Sequence, residues 1–209
     1  MLSARFTLSA DRRFCSIPIW PESVRLLLAK GANPQPEKAL FNASPLSLAA
    51  LAGEQDSIGM LIDKGASVRH RMLVLGLFQV SPLVISAQMG NTALSKLLIE
   101  RGADVNEEDN DGITPLGWSV LADYAAQSRM LIGMGAKVNH VDKLGMTPLL
   151  YAATIDYGNT ETIETLLNAK ADRTIKNKEG ATAIEQAVRY RHLNTVTVLA
   201  SGPPVPAKK

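Results

Sequence analysis

Asp109-Asn110-Asp111-Gly112-Ile113-Thr114-Pro115-Leu116 lies near the middle of the chain, and versions of it recur on both sides. The Thr-Pro step is a helix start. Thr114 can cap with its hydroxyl, and Pro115 suits the first helical position, where a missing N–H is no loss. Gly112 suits a turn that demands positive φ. Ser44-Pro45-Leu46, Ser81-Pro82-Leu83, Thr114-Pro115-Leu116 and Thr147-Pro148-Leu149 stand in series, and Thr182-Ala183-Ile184 closes it. The prolines fall 37, 33 and 33 residues apart, and Ala183 lies 35 beyond Pro148. A period in the low thirties marks a stacked-repeat protein.

A second phrase keeps step with the first. It runs Leu27-Leu28-Ala29-Lys30-Gly31-Ala32, then Leu61-Ile62-Asp63-Lys64-Gly65-Ala66, then Leu98-Ile99-Glu100-Arg101-Gly102-Ala103-Asp104-Val105-Asn106. Leu131-Ile132-Gly133-Met134-Gly135-Ala136-Lys137-Val138-Asn139 and Leu166-Leu167-Asn168-Ala169-Lys170-Ala171-Asp172 complete it. Each apolar pair ends a helix, and the glycine stands where a left-handed C-terminal cap belongs; Lys170 replaces it in the last copy.

Two phrases alternating in one register over most of residues 23–199 resemble the ankyrin repeat. The resemblance implies an all-α solenoid of helix-turn-helix units with β-hairpin fingers, about five repeats plus a partial N-terminal one. On that register residues 1–19 are a diverged N-terminal segment or cap, and 20–201 form the repeat domain. Its repeats run about 20–38 (partial), 39–75, 76–108, 109–141, 142–176 and 177–201, and 202–209 is a Pro-rich tail. Glu22 to Leu28 reads as an outer helix whose inner partner would come from 10–16, with Trp20 a candidate cap residue.

The composition, 46% apolar, 20% charged and 5% aromatic, supports a core of Leu, Ile, Val, Ala and Met. A net charge of +2 with no basic stripe argues against a nucleic-acid partner. Cys15 is alone, so no internal disulfide forms and a reducing compartment is favoured. No apolar h-region follows Arg5, Arg12 and Arg13, and a cytoplasmic location is expected. Met72 to Ser95 carries no charge and is long enough to span a bilayer, but Gln79, Pro82, Gln88 and Asn91 interrupt it and the repeat register runs through. No membrane span is expected.

Ala-rich first helices (Leu48-Ala49-Ala50, Tyr151-Ala152-Ala153) let neighbouring backbones approach, while second helices supply Leu94, Leu97 and Leu98 or Ile163, Leu166 and Leu167 at helical spacing. Three places depart from the norm. The loop from Arg69 to Val80 is lengthened and apolar, reading Met72-Leu73-Val74-Leu75-Gly76-Leu77-Phe78; it either packs on the preceding finger or meets a partner. Ala153 to Gly158 is two residues longer and would project Ile155 and Tyr157. Ser201-Gly202-Pro203-Pro204-Val205-Pro206 cannot continue a helix.

Catalytic and metal chemistry find no support. In an EF-hand frame Glu107, Asp109 and Asp111 take ligand positions, but the closing Glu falls on Trp118 and Pro115 lies inside the loop. His70, His140 and His192 sit in different repeats with no second ligand at zinc spacing. No nucleophile has a matched base, no phosphate-cradling loop occurs, and no cofactor is expected.

Ankyrin arrays bind proteins, usually on a concave face of fingers and the exposed sides of inner helices. Carried over by register, that face takes Leu40, Phe41, Leu51, Ala52, Leu77, Phe78, Val80, Gln88 and Met89. It continues through Asn110, Asp111, Ile113, Leu121, Ala122, Lys143, Leu144, Met146, Thr154, Ile155 and Tyr157 to Lys178, Glu179, Arg189 and Tyr190. The function implied is a non-catalytic scaffold gripping a partner protein or peptide. The alternative is a regulatory or targeting module of a larger enzyme or secreted effector. Self-association through the 72–78 finger is a third reading.

Overall fold

The computed structural model describes residues 21–35, 43–74, 78–155 and 158–201. The elements there are α1 (Pro21–Ala29), α2 (Pro45–Ala52), α3 (Gln55–Asp63), β1 (Met72–Val74), β2 (Phe78–Val80), α4 (Pro82–Gln88) and α5 (Thr92–Glu100). They continue with α6 (Pro115–Leu121), α7 (Ala125–Gly133), α8 (Pro148–Thr154), α9 (Glu161–Asn168), α10 (Ala183–Arg189) and α11 (Leu193–Ser201). This is the all-α repeat fold that the two phrases call for. The two strands are the lengthened loop after Arg69, an antiparallel hairpin with Leu73 opposite Gln79. The fingers at 107–113, 141–146 and 175–181 are tight turns instead of strand pairs. Leu40, Phe41, Leu77, Tyr157, Trp20 and the 202–209 tail lie outside the described residues.

The first phrase folds as its chemistry dictates. Ser44 accepts from the Ser47 amide at 3.1 Å, Ser81 from Val84 at 3.1 Å, Thr114 from Gly117 at 3.3 Å and Thr147 from Leu150 at 3.2 Å. Each hydroxyl satisfies an amide that helical hydrogen bonding leaves open. At Thr182, without a proline, a full capping box replaces the device: Glu185 reaches back to the Thr182 amide. Those bonds, the Thr182 amide first, hold the Glu185 carboxyl below its usual range.

The second phrase is a Schellman termination. Gly135 donates to Ile132 O and Ala136 to Leu131 O, both at 3.0 Å, and Gly65–Ala66 and Gly102–Ala103 repeat the pair. The left-handed residue has φ of +95° at Gly65, +96° at Gly102 and +95° at Gly135. Lys170 makes the same bonds at φ +66°, a conformation that its Cβ disfavours.

The chain divides into two compact units, Met1–Ser86 with Ala93–Asp104 and Ala87–Thr92 with Val105–Lys209. In the first, α3 packs on both α1 and α2. In the second, α6, α8 and α10 stack as an inner row and α7, α9 and α11 as an outer row. The core between the rows is Leu116, Val120, Leu131, Leu149, Ala153, Ile163, Leu166 and Ala187, all buried. Serines inside it are satisfied in pairs. Ser119 Oγ lies 2.8 Å from Ser128 Oγ and donates to Leu116 O, and Ser86 and Ser95 meet at 2.6 Å in the first unit.

Candidate protein-binding surface

Three fingers of the second unit share one construction. Asp109 Oδ1 accepts the amides of Asp111 and Ile113 at 2.9 Å each; Asp142 does the same for Leu144 and Met146 at 2.8 Å, and Asn177 for Glu179 and Ala181 at 3.0 Å. The short side-chain acceptor therefore sets the turn, and a glycine at positive φ closes it: Gly112, Gly145 or Gly180. The second carboxylate oxygen reaches the inner helix. Trp118 Nε1 donates to Asp109 Oδ2 at 2.8 Å, and the Tyr151 hydroxyl donates to Asp142 Oδ2. Burial, reinforced by that bond, pushes the Tyr151 phenol well above its ordinary value. Asp109, which sits in the EF-hand frame, is thus engaged in holding the finger.

Neighbouring fingers touch backbone to backbone. Lys143 N donates to Asp111 O at 3.0 Å, and a Cβ on Gly145 would stand 3.0 Å from Lys178 N. Side chains bridge the turns behind them. Asn106 accepts from Lys137 N at 2.7 Å and donates to Gly135 O, and Asn139 accepts from Asp172 N at 2.7 Å. In the first unit Gln35 and Arg69 occupy the same register, on Ser67 N and Gly102 O. Histidines add further ties: His140 Nε2 donates to Gly112 O at 2.8 Å, and His192 Nδ1 to Ala153 O at 3.1 Å.

On this frame Met89, Asn110, Asp111, Lys143, Leu144, Lys178, Arg189 and Tyr190 are exposed, and Leu121, Met146 and Ile155 are half-buried. Leu144 is 58% accessible, and Met89 and Tyr190 48% each. Two expected contact residues are corrected: Val80, in the first unit, is 6% exposed and Ile113 8%. Both immediately precede a capping hydroxyl, where the chain turns inward to start the helix. Gly117 leaves Ile113 its space, because a Cβ there would lie 2.9 Å from Ile113 Cγ2. For Phe78 the structure describes the backbone, in β2. Val141, exposed in the same finger as Leu144, is a further candidate that register alone does not offer. It stands where the neighbouring fingers carry Glu108 and Lys176, so an apolar residue at a polar position was the signal.

Outside this surface, a groove of about 470 Å³ lies between the outer helices α7 and α9, crossed by Arg129 paired with Glu161 at 3.1 Å. No described helix is long and apolar enough to cross a membrane.

Family models read the same register. Residues 79–110 match the model of the ankyrin repeat, and residues 124–208 match that of ankyrin repeats in three copies. The chain belongs to the ankyrin repeat family. The two matches together span more than half of it, and comparison with curated proteins returned no match. Ankyrin repeats generally mediate protein–protein interaction and are generally non-catalytic modules. The helix pair α2–α3 lies outside both matches and still carries the ankyrin caps, Ser44 before the first helix and Gly65 after the second.

Proposed function

We propose that this chain is a non-catalytic scaffold that grips a partner protein or an extended segment. The contact surface is the fingers of the second unit and the exposed sides of α6, α8 and α10. The observation that carries this reading is the exposure of large apolar side chains on fingers and helix ends, the finger turns being fixed by their own hydrogen bonds. Leu144 stands out from a turn locked by Asp142, and Tyr190 and Met89 stand at helix ends. Large apolar groups held rigidly in water are what an interface core uses, since little order is lost when a partner covers them.

Leu144→Asp tests it. The side chain is exposed, so the melting temperature should stay within about a degree, on the small effects usual for surface changes. Capture of a partner by affinity purification should fall at least tenfold. Equal recovery of the same partner by Leu144→Asp and the wild type would sink the proposal. The lengthened finger bearing Phe78 is a second contact candidate by sequence, and Phe78→Asp in the same experiment decides whether it takes part.

A further inference from the structure

The three fingers differ in charge. The first carries Glu107, Glu108, Asp109 and Asp111; the second shows Lys143, since Asp142 is buried and held by its own turn; the third carries Lys176 and Lys178 against Glu179. Beyond it Arg191 is exposed, while Arg189 is paired with Glu179. Going from the first finger to the third, the surface changes sign, with Val141 and Leu144 exposed between the two ends. Lys143 N on Asp111 O ties the first finger to the second, and the close approach of Gly145 to Lys178 N sets the second against the third, which holds the fingers in this order.

Resting on the scaffold reading above, we infer that the partner is an extended peptide segment with its own charges segregated. Its basic residues lie over Asp111, its acidic residues over Lys178, and one or two apolar side chains between them meet Leu144. Adjacent packed helices stand roughly 8–10 Å apart, so two finger steps span about 20 Å. At about 3.3 Å per residue, six or seven extended residues bridge that distance. Opposite charges matched at both ends set the register of the segment and exclude uniformly charged competitors.

The probe is a random nine-residue peptide library displayed on phage and selected on the full chain, followed by titration of the synthetic peptides. Expected are peptides with Lys or Arg at one end and Asp or Glu at the other. Asp111→Lys and Lys178→Glu should each weaken them at least tenfold, and raising the salt concentration should weaken them further. Reversing the charge of the basic peptide end should restore binding to Asp111→Lys alone. Asp111→Asn, a milder change, should give an intermediate loss, and circular dichroism checks that each variant is folded. If the selected peptides show no charge segregation but still lose affinity with Leu144→Asp, the charge assignment is overturned and the scaffold surface stands. If nothing is enriched, or binding ignores Leu144→Asp as well as both charge reversals, the surface itself is wrong.

Discussion

Tyr151 is partly buried and donates its phenolic proton to a buried carboxylate, Asp142; the burial first, and that bond second, give stability a pH signature. The ordinary phenol value is 10.0, and the folded value lies above it. Below pH 10.0 both folded and unfolded chains keep the proton, so the contribution is complete. Above it the unfolded chain releases a proton that the folded chain retains, and stability falls as pH rises. Tyr151→Phe should cost about 1–3 kcal/mol at pH 7 by leaving Asp142 Oδ2 short of a donor. Its deficit should shrink as the pH climbs past 10.0; urea titrations of both proteins across that range measure it, and parallel curves would refute it. Lys170 carries the opposite lesson. It holds φ +66° where the other copies use glycine. Lys170→Gly should therefore raise stability, by up to about 1 kcal/mol once glycine's extra unfolded-state freedom is subtracted. A lower urea midpoint for Lys170→Gly would contradict the strain argument.

At the scale of elements, these helices are too short to persist alone; seven to nine residues fall below what isolated helices need in water. Caps, Schellman turns and the inter-repeat Asn ties supply local definition, and packing supplies the rest. Asn139 receives the Asp172 amide and reaches Lys170 O, so it fastens the turn after α7 to the turn after α9. Asn139→Ala should cost about 1–2 kcal/mol, two net hydrogen bonds. The loss should show first as faster hydrogen exchange at Asp172, before any change at Leu166. The Arg129–Glu161 pair, exposed on both sides, contributes little by comparison. What sequence made legible here was considerable: Thr114, Thr147 and Gly135 sit at caps that their chemistry announced. The serine pair Ser119–Ser128 was not legible, because nothing in two polar residues nine positions apart says they face each other inside a core.

At the scale of the molecule, each unit shares its core among successive helix pairs, so stability is a sum of repeats and their interfaces. Leu167 lies at the end of α9, buried in the outer row. Leu167→Ala should cost about 2–5 kcal/mol, and amides of α7 and α11, the helices packed against α9, should lose protection along with it. Exchange confined to α9 would show that the repeats do not share their stability. The candidate surface was legible only in outline. Register located the fingers and placed Lys143, Leu144 and Lys178 on them, but it also offered Val80 and Ile113, which the fold turns inward.

The sequence alone determined the period, the caps and the family, because these rest on local chemistry: a hydroxyl beside an open amide, a proline in the first helical turn, a glycine free to take positive φ. Only the tertiary structure decided which side of each finger faces water. Burial depends on what a neighbouring repeat lays against a residue thirty-odd positions away, and no residue carries that information by itself.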